Sequence, residues 1–133
     1  GAAGGLGFGL MAFAGAAIEL GFEVFADATG LESKVAEADF VVTAEGAIDE
    51  QTLMGKGTGQ VAALCRRLGK PCIGLAGQLA LGQVEVDPGE ALFWRLAAMV
   101  PDLAGKTEAM ADAATHLERL AKREGKLSIP PFK

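Results

Sequence analysis

The sequence has little of the material that nucleophilic and thiol chemistry use: one histidine, His116, and two cysteines, Cys65 and Cys72. No serine or cysteine lies near His116 in the sequence, so a nucleophilic pair is not indicated and we expect His116 on a helix surface. The two cysteines match neither a CxxC motif nor a zinc-ligand spacing. We therefore expect them to be reduced core residues of a cytoplasmic protein, with a disulfide or a metal role as the alternative.

Positive charge is also scarce, since 12 basic residues against 17 acidic ones give a net charge of -5. This balance disfavours nucleic acid and anionic membranes as partners. The one tight basic pair, Arg66-Arg67, has too few charges to follow a phosphate backbone, and we expect it on a solvated helix face. Residues 1–18 carry no charge, but six of them are glycine and no Lys, Arg, Trp or Tyr flanks them, so we expect neither a membrane span nor a signal peptide.

What is present suits one globular domain, because the chain has 133 residues and is 50% hydrophobic. It starts at Gly1 rather than at a methionine, inside a glycine-rich stretch, and we expect it to be a piece of a longer protein.

Apolar runs and a helical pattern alternate in the middle of the chain. The runs 39–43 and 71–76 predict two buried strands, and the pattern over 59–68 predicts a helix between them that ends at a left-handed glycine. Such a βαβ unit has parallel strands and a right-handed crossover. The polar turns Ala44-Glu45 and Gly77-Gln78 should then meet at the carboxyl edge of the sheet, where open α/β folds bind ligands.

The remaining segments follow the same rules. The segment 10–18 is apolar on every side and predicts a buried helix. Further predictions are a short strand at 23–26, a surface helix at 31–37 with Leu31 and Val35 inward, a third strand or a short helix at 93–100, a turn at Pro88-Gly89, and a loose tail at 128–133. A last helix, capped by Thr107, should bury the stripe Met110, Ala113, Ala114, Leu117, Leu120 and Ala121.

The candidate site is the segment from Thr43 to Lys56, which holds the carboxylates of Glu45 and Asp49. Two carboxylates four residues apart can share a Mg²⁺ ion, or one can take a proton from an attacking hydroxyl while Lys56 neutralises phosphate charge. The P-loop pattern fails, because its first glycine and its final hydroxyl residue are both missing. A phosphate or carboxylate site and a solvated strand-to-helix loop both stay open from the residues alone.

The glycine-rich start is a second candidate. Gly7-x-Gly9-x-x-Ala12 formally fits a dinucleotide fingerprint, but no strand precedes it. The free N–H groups of a helix start could instead face an anion, and tight helix packing is the alternative.

Three motifs carry a family resemblance: Gly1-Ala2-Ala3-Gly4-Gly5-Leu6-Gly7, the block Thr43-x-Glu45-Gly46-x-x-Asp49-x-Gln51-Thr52-x-x-Gly55-Lys56, and a strand ending in Ala76-Gly77. Together they resemble the C-terminal part of the type-1 glycerate kinase family, from Gly1 to about Arg123. The resemblance implies a kinase that uses ATP and Mg²⁺ to phosphorylate D-glycerate, at the 2-hydroxyl. It also implies a two-domain α/β enzyme in which a second α/β domain interrupts a Rossmann-like one.

By that resemblance, residues 1–30 are the end of the inserted α/β domain with its glycine-rich helix start, 31–127 are the C-terminal part of the Rossmann-like domain, and 128–133 are a tail. The implied catalytic residues are Glu45, Asp49 and Lys56, and the implied substrate- or phosphate-binding residues are Gly1, Gly4, Gly5, Gly7, Gly46, Gln51, Thr52 and Gly55. We expect the two acids to serve as metal ligand and base in either order, Lys56 to neutralise phosphate, and the glycine amides to cradle an anion.

The predicted fold class is therefore α/β, a Rossmann-like parallel sheet with flanking helices that forms part of a domain. The expected partners are D-glycerate and ATP, without nucleic acid or membrane. We expect the isolated chain to be inactive and to self-associate through the surface that the missing part leaves open. The alternative is a non-catalytic truncated α/β module that binds a small anion or serves as an assembly unit.

Overall fold

The computed structural model describes residues 2–55, 57–80 and 91–126. The turn predicted at Pro88-Gly89 and the tail predicted at 128–133 lie outside the described residues. The chain divides into two compact units, Gly1–Leu31 and Glu32–Lys133. The assignment of residues 1–30 and 31–127 to two domains of a longer kinase stays a prediction.

The first unit is helical. After a short 3-10 turn, Ala2–Gly5, it contains helix α1 (Leu6–Ala14) and helix α2 (Gly21–Thr29). Helix α1 ends at Gly15, whose left-handed backbone (φ 64°) lets its N–H donate to the Leu10 carbonyl. The helix therefore begins and ends earlier than the segment 10–18 in which it was predicted.

Two predictions for this unit are wrong. No residue of α1 is buried, and Phe8 and Phe13 are 70% and 90% exposed, because so short a unit has too little chain to enclose its own apolar side chains. The strand predicted at 23–26 lies inside α2, since a four-residue apolar run does not distinguish a strand from part of a helix.

The second unit contains a parallel sheet with flanking helices. In chain order, starting at the unit boundary, the elements are α3 (Leu31–Glu37), β1 (Val41–Asp49), α4 (Glu50–Leu53), α5 (Thr58–Arg67), β2 (Cys72–Ala80), β3 (Arg95–Val100), α6 (Lys106–Ala111) and α7 (Ala113–Glu124). Within the described ranges the sheet has three strands in the order β1-β2-β3, and both neighbouring pairs are parallel. The predicted α/β class, the βαβ unit and the helix 31–37 with Val35 buried are confirmed, and the segment predicted at 93–100 as a strand or a helix contains a strand.

The first two strands are longer than predicted. Glu45 pairs with Ala76, and Ala47 pairs with Gln78. Because of this pairing with β2, strand β1 continues into the first half of the candidate site. This half is strand backbone rather than a turn. The start of β2 is buried as predicted, but Val42 of β1 is exposed, because β1 has one neighbouring strand in the described part of the sheet.

The core lies on both faces of the sheet. One cluster contains Ile73, Leu75, Ala97 and Leu120, and a second contains Ile48, Ala76 and Ala98. Cys65 and Cys72 are both buried with free thiols, which confirms their predicted place in the core. A hydrogen bond with Cys65, together with burial, raises the pKa of the Cys72 thiol, so Cys72 behaves as a protonated apolar group.

The predicted last helix is two helices, because the backbone breaks at Asp112 (φ -141°, ψ 58°). Helix α6 follows Gly105 without a side-chain cap, so the predicted capping by Thr107 is wrong. Asp112 caps α7 instead, since its side chain accepts a hydrogen bond from the Thr115 N–H.

This break changes the face that the last helix buries. The buried residues of α6 and α7 are Ala109, His116, Leu120 and Glu124, whereas Met110 and Leu117 of the predicted stripe are exposed. The prediction of His116 as a surface residue is therefore wrong, because its side chain is only 5% exposed.

The basic pair lies on the surface as predicted. Both nitrogens of the Arg67 fork donate to the carboxylate of Glu32 at 2.9 Å, and both side chains are mostly exposed. In the ranges that the structure describes, every helix is too short or too polar to cross a membrane.

Candidate active site

The candidate site lies where β1 passes into α4 and then α5. Glu45 and Asp49 are half-buried residues of β1. Thr52 of α4 and Thr58, the first residue of α5, are buried. Polar side chains from three consecutive elements therefore meet at one place beside the strand.

Asp49 ends the strand and caps α4. Its Oδ1 accepts hydrogen bonds from the N–H groups of Gln51 at 2.9 Å and Thr52 at 3.1 Å. The Asp49 N–H in turn donates to the Thr52 Oγ1 at 3.4 Å, which completes a capping box. One predicted catalytic acid thus also has a structural contact.

Glu45 is held by two hydroxyl groups. The Oγ1 of Thr58 donates to the Glu45 Oε2 at 2.9 Å, and the Oγ1 of Thr52 lies 3.2 Å from the same oxygen. Both donors are buried, so the carboxylate is oriented by side chains that pack inside the protein.

Thr52 links the two acids. Its hydroxyl oxygen lies 3.2 Å from the Glu45 Oε2 and 3.5 Å from the Asp49 Oδ1. Because a hydroxyl has one hydrogen, it donates to one carboxylate at a time. The structure therefore brings together Glu45, Asp49 and Thr52, three of the residues predicted for the site.

A glycine keeps the two helices of the site close together. A Cβ atom on Gly59 would lie 1.7 Å from the Thr52 carbonyl oxygen, so α5 could not approach α4 with any larger residue there. Beside the site, Gln78 of β2 pairs with Ala47 of β1. The predicted turn Gly77-Gln78 is therefore part of strand β2, next to the site.

The other predicted residues of this segment take simpler positions. Gly46 is an exposed strand residue, and Gly55 has a left-handed backbone (φ 91°) between α4 and α5. Gln51 is the second residue of α4. Lys56 lies outside the described residues, so its predicted role stays a prediction.

The glycine-rich start belongs to the first unit. Gly4 and Gly5 have left-handed backbones (φ 62° and 88°), and Gly7 is part of α1. Gly1 lies outside the described residues. The predicted anion cradle, and its convergence with the segment around Glu45, stay predictions.

The two carboxylates of the site are of the kind that binds Mg²⁺ together with oxygen atoms of a bound phosphate. Among the described residues no three acids, cysteines or histidines form a metal cluster. Mg²⁺ commonly binds one or two protein carboxylates and completes its shell with phosphate oxygens and water. Glu45 and Asp49 are two carboxylates near one hydroxyl, that of Thr52, and their binding of Mg²⁺ stays a prediction.

The sequence did not predict Thr58 as a residue of the site. Its hydrogen bond joins residues 13 positions apart, and no local motif specifies that distance. The available signal was weak: a hydroxyl residue starts a helix just after a segment that carries acids.

Comparisons with known proteins point to one family. The model of the glycerate kinase family matches residues 1–128. The chain is 41% identical over 124 residues to a glycerate kinase of Halalkalibacterium halodurans, which covers 92% of this chain and 32% of that protein. It is 44% identical over 79 residues to the glycerate 2-kinase of Escherichia coli K12, covering 59% of this chain and 21% of that protein.

A solved structure agrees with these matches. The crystal structure of a protein assigned as glycerate kinase 2, from Salmonella typhimurium LT2, is similar with a TM-score of 0.59 and 33% identity, over 94% of this chain and 32% of that one. The chain thus spans about a third of the length of the curated relatives that it matches over most of its own length.

Proposed function

The chain belongs to the glycerate kinase family, and we propose that it forms part of an enzyme that transfers phosphate from ATP to D-glycerate. The names of its relatives support glycerate as the substrate, and the Escherichia coli relative, named glycerate 2-kinase, supports the 2-hydroxyl as the acceptor. The D configuration rests on the family resemblance of the sequence.

The observation that carries this proposal is the meeting of Glu45 and Asp49 at the hydroxyl of Thr52, where a parallel strand passes into a helix. Phosphoryl transfer needs positioning and charge neutralisation more than covalent chemistry. In our proposal one of the two acids accepts the proton of the attacking hydroxyl, and the other is a ligand of Mg²⁺. When bound, Mg²⁺ would neutralise negative charge on the phosphates.

Further residues are proposed to bind ATP and D-glycerate. Lys56 neutralises phosphate charge, and the backbone amides of the glycine-rich start bind an anionic group. These roles, like a cytoplasmic location for the enzyme, rest on the family and on residue chemistry.

A coupled assay for ADP release tests the proposal. We would supply ATP, Mg²⁺ and D-glycerate to this chain and to the complete product of its gene, with L-glycerate as the control substrate. We expect turnover of D-glycerate by the complete gene product and none by the isolated chain. ³¹P-coupled NMR of the product should show the phosphate on carbon 2.

Absence of turnover by both proteins would overturn the kinase proposal. Calorimetric binding of D-glycerate or phosphate without turnover would then favour a non-catalytic anion-binding module. Phosphate on carbon 3 would leave the kinase proposal standing but contradict the acceptor hydroxyl.

A further inference from the structure

We propose that Thr58 is a positioning residue that fixes the Glu45 carboxylate for phosphoryl transfer, an inference that rests on the proposed function. Thr58 lies outside the residues that the family motif indicated, and its hydroxyl makes the shorter of the two hydrogen bonds to Glu45 from described side chains.

The position of Thr58 makes it a rigid donor. It is the first residue of α5, and only 9% of it is exposed. A β-branched side chain has few χ1 rotamers and this one is buried, so little conformational entropy is lost when its hydroxyl is held toward Glu45. The 2.9 Å distance to the Glu45 Oε2 lies in the normal range for a hydroxyl that donates to a carboxylate.

Thr52 cannot replace Thr58 in this role. Its hydroxyl lies 3.2 Å from the Glu45 Oε2 and 3.5 Å from the Asp49 Oδ1, so two carboxylates compete for its single hydrogen. For Thr58, Glu45 is the acceptor found within the described part of the chain. Thr58 therefore donates to Glu45, whereas the Thr52 hydroxyl can donate either to Glu45 or to Asp49.

The space beside Oε1, the other carboxylate oxygen of Glu45, depends on the residue at position 57, which is Gly57. This glycine has a positive φ of 57°, and a Cβ atom there would lie 3.3 Å from the Glu45 Oε1. A larger residue at position 57 would therefore crowd Oε1, and the absence of a side chain there leaves room for the carboxylate in the orientation that Thr58 holds.

Two substitutions separate the hydroxyl from the shape of the side chain. In the complete gene product, Thr58→Val keeps the shape but removes the donor, and we expect kcat to fall about 10- to 100-fold with a smaller change in KM. Thr58→Ser keeps the donor and should recover most of kcat. Thr115→Val, at an exposed threonine of α7, is the matched control and should leave kcat unchanged.

A second readout does not depend on turnover. In this chain, the ¹³C resonance of the Glu45 carboxyl, assigned with Glu45→Gln, should shift at fixed pH in Thr58→Val and stay near its original position in Thr58→Ser. Thermal unfolding of each variant shows whether it is folded.

The outcomes distinguish the two proposals. Without wild-type turnover the proposed function fails, and the carboxyl resonance still decides whether Thr58 holds Glu45. If the wild-type protein is active and Thr58→Val keeps normal kcat and an unshifted resonance, the positioning role is wrong. If Thr58→Ser loses as much kcat as Thr58→Val, a retained hydroxyl does not restore activity, which also contradicts it.

Discussion

Asp49 combines a helix cap with the negative charge that the proposed chemistry needs. Its Oδ1 accepts two backbone N–H groups of α4. Asparagine caps helices about as well as aspartate, whereas alanine does not. We therefore expect Asp49→Asn to lower kcat at least about 10²-fold while the free energy of unfolding stays nearly constant. Asp49→Ala should in addition lower the free energy of unfolding by about 1 kcal/mol. Steady-state kinetics and urea unfolding measure the two effects.

Asp112 supplies the control for this experiment, because it caps α7 outside the candidate site. Asp112→Asn should change neither kcat nor stability appreciably. Near-normal kcat in Asp49→Asn would remove Asp49 from the catalytic residues and leave it as a cap alone.

Gly59 tests how closely the two helices of the site approach. Since a Cβ atom would lie 1.7 Å from the Thr52 carbonyl oxygen, Gly59→Ala must push α4 and α5 apart. We expect a loss of about 3 kcal/mol in the free energy of unfolding, as for severe overpacking. Gly105→Ala is the comparison, because a Cβ there meets nothing within 4 Å, and it should cost at most about 1 kcal/mol. Equal losses in chemical denaturation would contradict the close approach.

Single residues also show what sequence reasoning could reach. Glu45 and Asp49 were predicted as site residues because carboxylates between a strand and a helix form a local pattern, and the structure places both beside the hydroxyl of Thr52. Thr58 was missed because its contact with Glu45 exists only after the chain turns back at α4 and Gly57. His116 was misplaced because the break at Asp112, set by a side-chain cap, shifts which face of α7 is buried.

At the scale of elements, the sequence predicted that the strands β1 and β2 exist, but it did not predict how long they are. Apolar runs marked β1 and β2, yet the strands continue to Asp49 and Ala80 because each supplies hydrogen-bond partners to the other. Pairing between strands is tertiary information, and it extended both strands across residues whose polarity suggested turns.

A charged network joins β3 to α7. The buried carboxylate of Glu124 accepts hydrogen bonds from the Nε atoms of Arg95 and Arg123, the latter at 2.8 Å. Arg123 also donates to the Asp102 Oδ2 at 2.7 Å. Burial raises the pKa of Glu124, but the two arginines outweigh it and the pKa is lowered overall. The hydrogen bond from Arg123 likewise lowers the pKa of Asp102.

This network predicts a pH dependence of stability. Because both carboxyl groups have lower pKa values in the folded chain than in the unfolded one, their stabilisation is present above about pH 4, near the unfolded values, and is lost as the pH falls through the folded ones. We expect the free energy of unfolding to fall as the pH is lowered below about 4, the range of the unfolded carboxyl groups. The double variant Asp102→Asn, Glu124→Gln should flatten that fall in urea titrations.

Glu118→Gln is the matched control, since the ion pair of Glu118 with Lys122 is largely exposed and contributes little. If it flattens the acid limb as much as the double variant does, the network between β3 and α7 is not the cause.

At the scale of the whole molecule, part of the apolar pattern has no cover in the described structure. The segment 10–18 was predicted to be buried because it is apolar on every side, and yet the side chains of α1 are not covered. Relatives that match most of this chain are about three times as long, since the chain spans 32% of them. An apolar pattern thus shows which side chains favour burial, but it does not show that this chain alone buries them.

That uncovered surface predicts self-association of the 133-residue chain. Phe8 and Phe13 of α1 are 70% and 90% exposed, and large apolar side chains left in water favour association. Light scattering over a concentration series should show mass rising above that of a monomer. Phe8→Ser with Phe13→Ser should lower the apparent mass at equal concentration. Met110→Ser, at an exposed position of α6 in the second unit, should not, and a wild-type chain that stays monomeric throughout would contradict the prediction.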